Sequence, residues 1–272
     1  MSQRDIAVTP SPRIGRAVAL AAAMSVVVAA TAPVLARGPG RDSSEQRAGP
    51  AAGEGHKLGI DVSHWQSFIR WRRVAAHGID FAIAKATDGT WMVDHWYERN
   101  RRRAERNGIR FTAYHFARPG RAYGDAVAEA DFFLKHADLR GGNLVPALDI
   151  EDAGGLRPAA LRTWILTWLH RVEKRLGVKP MIYTSPGFWT GRVGNSRRIA
   201  QQGYKVLWLA HYQTNRPSVP ARRWDGNGWT FWQWTECGRV RGVQGCIDRN
   251  YYSGGKLRDL TIRHQRSTAR PR

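Results

Sequence analysis

The sequence predicts an α/β barrel, on three observations. Seven short apolar runs recur between residues 58 and 234, separated by amphipathic stretches. That alternation of strand and helix over about 200 residues is the pattern of stacked β–α units. Most of the runs are near-continuous in apolar character, as strands covered on both faces are. The final third departs from the pattern. Residues 229–234 and the cysteine-flanked, glycine-rich segment after them read as antiparallel, so the barrel is expected to be irregular.

Taken in order, the chain opens with Arg4, Arg13 and Arg16 ahead of an uncharged stretch from 17 to 36 that closes on Val34-Leu35-Ala36. A basic start, an apolar run and a small residue at its end describe a secretory signal peptide over 1–36. An uncleaved anchor is the alternative, since 20 residues can span a bilayer. Pro33, Thr31 and Ser25 weaken that span. Residues 37–56, rich in Gly, Pro, Ala and charge, read as a flexible linker. Strands are expected at 58–62, 81–86, 110–116, 144–150, 181–184, 206–210 and 230–234. Helices are expected at 94–107, 126–136 and 158–176. The last begins at Pro158, ends before Gly177, and carries Leu161, Trp164, Ile165, Trp168, Leu169 and Val172 on one face. Trp164 and Trp168 therefore read as core. Export would let Cys237 and Cys246 close a short disulfide hairpin, with two unpaired thiols the alternative. The catalytic domain is expected over 57–262, followed by a loose basic tail at 263–272.

Composition narrows the function. The 272 residues are 42% hydrophobic and 24% charged, which excludes a fully disordered chain, a collagen-like fibre and a multi-span membrane protein. Lys and Arg number 43 against 22 Asp and Glu, a formal charge of +21. Residues 1–36 hold three Arg and one Asp, so the remainder carries +19. Such a surplus points to a polyanion or an anionic surface as partner.

The chemistry concentrates at Leu-Val-Pro-Ala-Leu-Asp-Ile-Glu-Asp, residues 144–152. On a strand Asp149 and Glu151 share a face, with Cα atoms roughly 6.6 Å apart. They follow an apolar run and precede a Gly-Gly loop, so they emerge at the carboxyl end, where barrel enzymes build their sites. Two such carboxylates repel, and the less solvated one keeps its proton longer, giving the acid and ionised partner that glycosidic cleavage uses. Alone, the pair reads more readily as a solvated acidic loop, since Asp-x-Glu occurs widely. Other strand ends add to it: Asp61 after the first strand, Lys85-Ala-Thr-Asp88-Gly after the second, Tyr114-His115-Phe116 after the third, and Trp232-Gln-Trp234 and Asp248 near the end. Tyr114, Phe116, Tyr183, Tyr212, Trp232 and Trp234 each read as sugar platform or core. His64, His115 and His211 lack metal-ligand spacing and are expected to hydrogen-bond acids or sugar hydroxyls; neither metal nor cofactor is expected. Lys85 is expected to pair with a site carboxylate or with Asp88. Arg70, Arg72, Arg73, Arg99 and Arg101–Arg103 read as solvated helix faces.

These motifs together resemble glycoside hydrolase family 25, the Ch-type lysozymes or N-acetylmuramidases. The resemblance spans about 57–260. It rests on Gly-Ile-Asp-Val-Ser-His-Trp-Gln at 59–66, Lys-Ala-Thr-Asp-Gly at 85–89, Ala-Tyr-His-Phe at 113–116 and Leu-Asp-Ile-Glu at 148–151. It continues with Ile-Tyr-Thr at 182–184, Trp-Leu-Ala-His-Tyr at 208–212, Phe-Trp-Gln-Trp at 231–234 and Ile-Asp-Arg-Asn at 247–250. It implies a flattened, irregular TIM-like β/α barrel. It implies that Glu151 is the general acid, that Asp149 steers and charge-stabilises the substrate's N-acetyl group, and that Asp61 and Asp248 line the site. Asp88 departs from the family, which more often shows Glu there, and the cysteine hairpin is not a general family feature. The implied activity is hydrolysis of the β-1,4 bond between N-acetylmuramic acid and N-acetylglucosamine in peptidoglycan (EC 3.2.1.17). The expected product is a secreted or periplasmic monomer with no stable membrane insertion once the leader is cleaved. A chitin-type glycosidase and a non-catalytic wall-binding protein are the alternatives. A nucleic-acid binder is suggested by charge alone, with no recognition motif to support it.

Overall fold

Lys57–Val62 (β1) pairs in parallel with Phe81–Asp88 (β2), and that pairing closes a barrel of eight strands. The others are Arg110–Phe116 (β4), Ala147–Asp149 (β5), Met181–Thr184 (β6), Leu207–Ala210 (β7), Phe231–Gly238 (β8) and Ile247–Tyr252 (β9). Met92–Val93 (β3) is a short hairpin return on β2, outside the barrel. All neighbours run parallel except β9, which is antiparallel to both β8 and β1. The structure, a computed structural model, describes residues 56–269. The expected signal peptide and nearly all of the linker lie outside the described residues, as do residues 270–272. Among the described residues no helix is long and apolar enough to cross a membrane.

Strand alternation sorts the core into two layers. Phe81, Ile83, Ala147, Met181, Trp208 and Phe231 fill the barrel, with the Phe81 and Phe231 rings 5.1 Å apart. Gly59 leaves room for that stack, since a Cβ there would lie 2.2 Å from the Phe81 ring. Ile60, Ala82, Leu148, Ile182 and Leu209 point outward to the helices. These are Trp71–Ala76 (α1), Tyr97–Arg106 (α2), Asp125–Ala137 (α3), Pro158–Leu176 (α4), Pro186–Arg192 (α5), Arg198–Gln201 (α6) and Pro220–Asp225 (α7), the last wound left-handed from Ala221. Trp168 is fully buried and stacks on the His115 ring at 5.5 Å, so the core reading of the α4 tryptophans holds. Helix α4 starts at Pro158 and stops at Gly177, whose φ of 66° supplies the left-handed cap.

Three expectations change. The strand expected over 144–150 shrinks to Ala147–Asp149, because Pro146 has no N–H and Val145 donates instead to the Leu260 carbonyl. Helix α2 begins at Tyr97, not 94, because the Asp94 carboxylate is spent on the N–H groups of Trp96 and His64. The tail expected to be loose from 263 forms a helix instead, Ile262–Ala269 (α8). Ile262 is buried against the barrel floor, and Arg266 Nε donates to the Leu176 carbonyl at the end of α4.

Candidate active site

Strand β5 ends at Asp149, and the chain stays extended past it. Ala117 N–H donates to the Asp149 carbonyl, and Ile150 N–H donates to the Tyr183 carbonyl. Glu151 therefore emerges on the same side as Asp149, at the carboxyl-end mouth. Asp149 is buried, and its Oδ1 has no hydrogen-bond partner among the described residues; Glu151 is open to solvent. Burial pushes the Asp149 carboxyl well above its ordinary range and Glu151 adds to the rise, while Lys85 opposes it. The protein-dense surroundings of Glu151 raise its pKa too, against the charges of Lys85 and Arg118. Asp149 is thus the more deeply buried acid of the two.

A β-bulge supplies the cationic wall. Lys85 faces Tyr114 and Thr87 faces His115, so Ala86 is the extra residue in β2. The bulge turns both Lys85 and Asp88 into the barrel, although they lie three positions apart. Lys85 Nζ lies 3.0 Å from Asp88 Oδ2 and 4.4 Å from the centre of the Phe116 ring. Arg118 Nε donates to Asp88 Oδ1 at 2.8 Å, and its Nη1 reaches Asp152 at 3.6 Å. Against the upward pull of burial, the hydrogen bonds from Arg118 and Lys85 hold Asp88 below the usual carboxylate range. Of the two expectations for Lys85, pairing with Asp88 is the one met, and its charge also opposes the rise at Asp149 and Glu151.

The opposite wall is a polar network. Asp61 sits across from Asp248 in the β1–β9 register and accepts from Asn250 Nδ2 at 2.7 Å and Gln233 Nε2 at 2.9 Å. Gln233 Oε1 in turn accepts from the hydroxyls of Tyr183 and Tyr212, and Asn250 Oδ1 accepts from Trp208 Nε1. Burial raises Asp61 to about 6, opposed by its hydrogen bonds. Burial and then the Asp61 charge push Asp248 up to about 9. At neutral pH one proton is held between the two.

Four of the six aromatics proposed as sugar platforms gather here. Tyr114, Phe116 and Tyr183 point inward from β4 and β6, and Tyr212 closes on Gln233. Trp232 and Trp234 do not. Because Gln233 faces in, its neighbours face out: Trp232 packs against Trp229 and Tyr251, and Trp234 stacks on Tyr251 beneath Arg249. Trp65 and Trp91, which follow the carboxyl ends of β1 and β2, are 80% and 67% exposed and stand at the mouth instead. The histidines also separate. His64 Nδ1 lies 3.1 Å from Asp94, and His211 Nδ1 accepts from Ser218 N–H. His115 is outside the barrel, between Thr87 and Glu129 at 2.7 Å each. Gln233, Asn250 and Arg118 were missed as site residues. Alternation around Trp-Gln-Trp puts Gln233 on the face opposite both tryptophans, and that is the sequence signal that points to it.

Comparison with known proteins agrees with this geometry. Residues 60–243 match the profile described as glycosyl hydrolases family 25. Lysozyme M1 of Streptomyces globisporus is 36% identical over 237 residues, covering 84% of this chain and 78% of that protein. The N,O-diacetylmuramidase of Chalaropsis sp is 30% identical over 190 residues, covering 64% of this chain and 86% of that protein. The crystal structure of the bacterial lysozyme from Streptomyces coelicolor superposes with a TM-score of 0.70 at 34% identity, covering 79% of this chain and all of that one. With its barrel, its paired carboxylates and this profile match, the chain belongs to glycosyl hydrolases family 25.

Proposed function

We propose that this chain is a muramidase that hydrolyses the β-1,4 bond between N-acetylmuramic acid and N-acetylglucosamine in peptidoglycan. The observation that carries the reading is the buried, unpartnered Oδ1 of Asp149 beside a solvent-reachable Glu151. An acetamide N–H donated to that oxygen satisfies it and favours the ionised form of Asp149. The proton held by the pair then resides on Glu151, which is placed to donate it. The acetamide oxygen attacks the anomeric carbon as the Glu151 proton passes to the glycosidic oxygen and the C–O bond breaks. Ionised Asp149 stabilises the positive ring so formed, and Glu151, now a base, takes a proton from the water that opens the ring. Asp61 and Asp248 keep one proton on the far wall, so the site does not accumulate four negative charges. Similarity to named lysozymes and diacetylmuramidases supports the substrate class. The reading includes export through the leader at 1–36, which places the enzyme outside the membrane where its substrate lies.

Digestion of purified sacculi followed by mass spectrometry of borohydride-reduced products tests the proposal. Reduced muramic acid at the new ends is expected. Reduced N-acetylglucosamine, or no new ends at all, overturns it.

A further inference from the structure

Five arginines read from the sequence as solvated helix faces line one cleft. Arg70, Arg72 and Arg73 from α1 and its approach, with Arg99 and Arg103 from α2, border a groove of about 540 Å³ beside the exposed ring of Phe68. No acidic residue lines it, and none of the five forms an ion pair among the described residues, although Arg101 and Arg102 on the same helix pair with Glu98. Arg99 lies 4.3 Å from the centre of the Phe68 ring, and its Nη1 is buried with no hydrogen-bond partner among the described residues. A second groove shares Phe68, Arg70 and Arg73 and is walled by Gly242, Val243 and Gln244.

That wall belongs to the hairpin that Cys237 and Cys246 close. Arg70 N–H donates to the Gly242 carbonyl at 2.9 Å. Gly242 has a φ of 101°, and a Cβ there would come within 2.6 Å of the Arg70 carbonyl, so glycine alone allows the contact. The hairpin thus fixes the start of α1 and with it the arginine row.

We propose that this cleft is a second binding surface, distinct from the catalytic mouth, for a flexible phosphodiester polymer attached to the wall. The ligand is a chain of alternating polyol and phosphate. Guanidinium groups spaced along a groove match successive phosphates with bidentate hydrogen bonds. With one phenyl ring and no row of aromatic platforms, the groove is not built to stack successive bases. The proposal rests on the muramidase reading for its setting, but its test does not depend on hydrolysis.

The mature chain is titrated with fluorescent poly(glycerol phosphate) by anisotropy across a salt series. The R70Q/R73Q/R103Q variant is compared with R192Q/R198Q/R263Q, which removes equal charge from exposed arginines of α5, α6 and α8. The cleft variant is expected to bind about tenfold or more weakly at low salt. Its slope of log affinity against log salt should be shallower by about 2 to 3, while the control changes little. Equal losses in both variants overturn the proposal, leaving net charge alone as the cause. Tighter binding of a single-stranded oligonucleotide of equal charge overturns it as well, in favour of a nucleic-acid surface. Sacculi stripped of phosphate polymers give the separating control. Both variants should cut them at the wild-type rate, and a wild-type chain that cuts none overturns the muramidase reading without touching the binding result.

Discussion

Glu151 and Asp149 differ by one methylene and in exposure, and the roles proposed for them follow from that difference. Glu151→Gln removes the proposed proton donor, so cleavage of natural walls should fall by at least about a hundredfold, the usual worth of general acid catalysis. An aryl glycoside with a phenolate leaving group needs little protonation and should recover part of that loss. Asp149→Asn should be slow on both substrates, because its charge acts at the attacking acetamide. Rescue of Asp149→Asn and not Glu151→Gln by the aryl glycoside would reverse the assignment. The Asp61–Asp248 pair makes a different prediction, on stability. Both carboxyls have raised pKa values in the folded chain, about 6 and about 9, so folding favours their protonated forms. Their contribution is complete below the ordinary carboxylate pKa and is lost as pH climbs through 6 towards 9. Asp248→Asn keeps a neutral donor beside Asp61 at every pH. Its melting temperature relative to wild type should rise by at least about 2–4 °C at pH 9, equivalent to about 1 kcal/mol, and stay nearly unchanged at pH 5. The same offset at both values would refute the shared proton.

At the scale of strands and helices, the parts that were legible in the sequence share a physical cause. Residues 111–115 and 181–184 are buried on both faces, and both strands fall where the pattern puts them. Helix α4 is bounded by Pro158 and Gly177 and has a single apolar face, which fixes both its ends and its buried side. What stayed hidden depends on contacts between distant residues. The bulge at Ala86 inverts the parity of Asp88, and no local propensity records it. Strand β9 reads as charged and polar because Asp248 and Asn250 face the site, not a core. Trp232 and Trp234 read as sugar platform or core because alternation leaves the phase open, and only Gln233 bonding Asp61 settles it. His115 does hydrogen-bond an acid, as expected, but that acid is Glu129 outside the barrel. The histidine is fully buried, and burial lowers its pKa against the pull of Glu129, so the neutral ring accepts from Thr87 and donates to Glu129. That contact joins β4 to α3, and the same carboxylate also receives the Arg118 N–H. Glu129→Leu should therefore cost about 1–3 kcal/mol by stranding a buried donor, with Glu129→Gln closer to wild type. Chemical denaturation of the two variants checks the order. A smaller loss for Leu than for Gln would show that the contact is replaceable by packing.

Over the whole molecule the charge is divided by place. Carboxylates gather in the barrel mouth, partly neutralised by shared protons and by Lys85 and Arg118, while the unpaired arginines lie on the helical exterior. The substrate reverses that arrangement, since the peptide stems and attached polymers of a wall are anionic and the glycan at the scissile bond is neutral. Attraction between the outside of the enzyme and the wall raises local encounter without changing the chemical step. It therefore belongs in association, and it is screened over about 10 Å at 0.1 M salt and about 3 Å at 1 M. The activity on intact walls should fall by about tenfold or more as salt rises across that range, the usual reach of electrostatic steering. Hydrolysis of a short uncharged chito-oligomer, where it occurs, samples the same four carboxylates without the anionic lattice and should barely respond. Initial rates on both substrates through one salt series separate the two effects. A parallel decline would place the salt sensitivity in the catalytic mouth itself, in the ion pairs of Asp88 with Lys85 and Arg118, and not in the basic exterior.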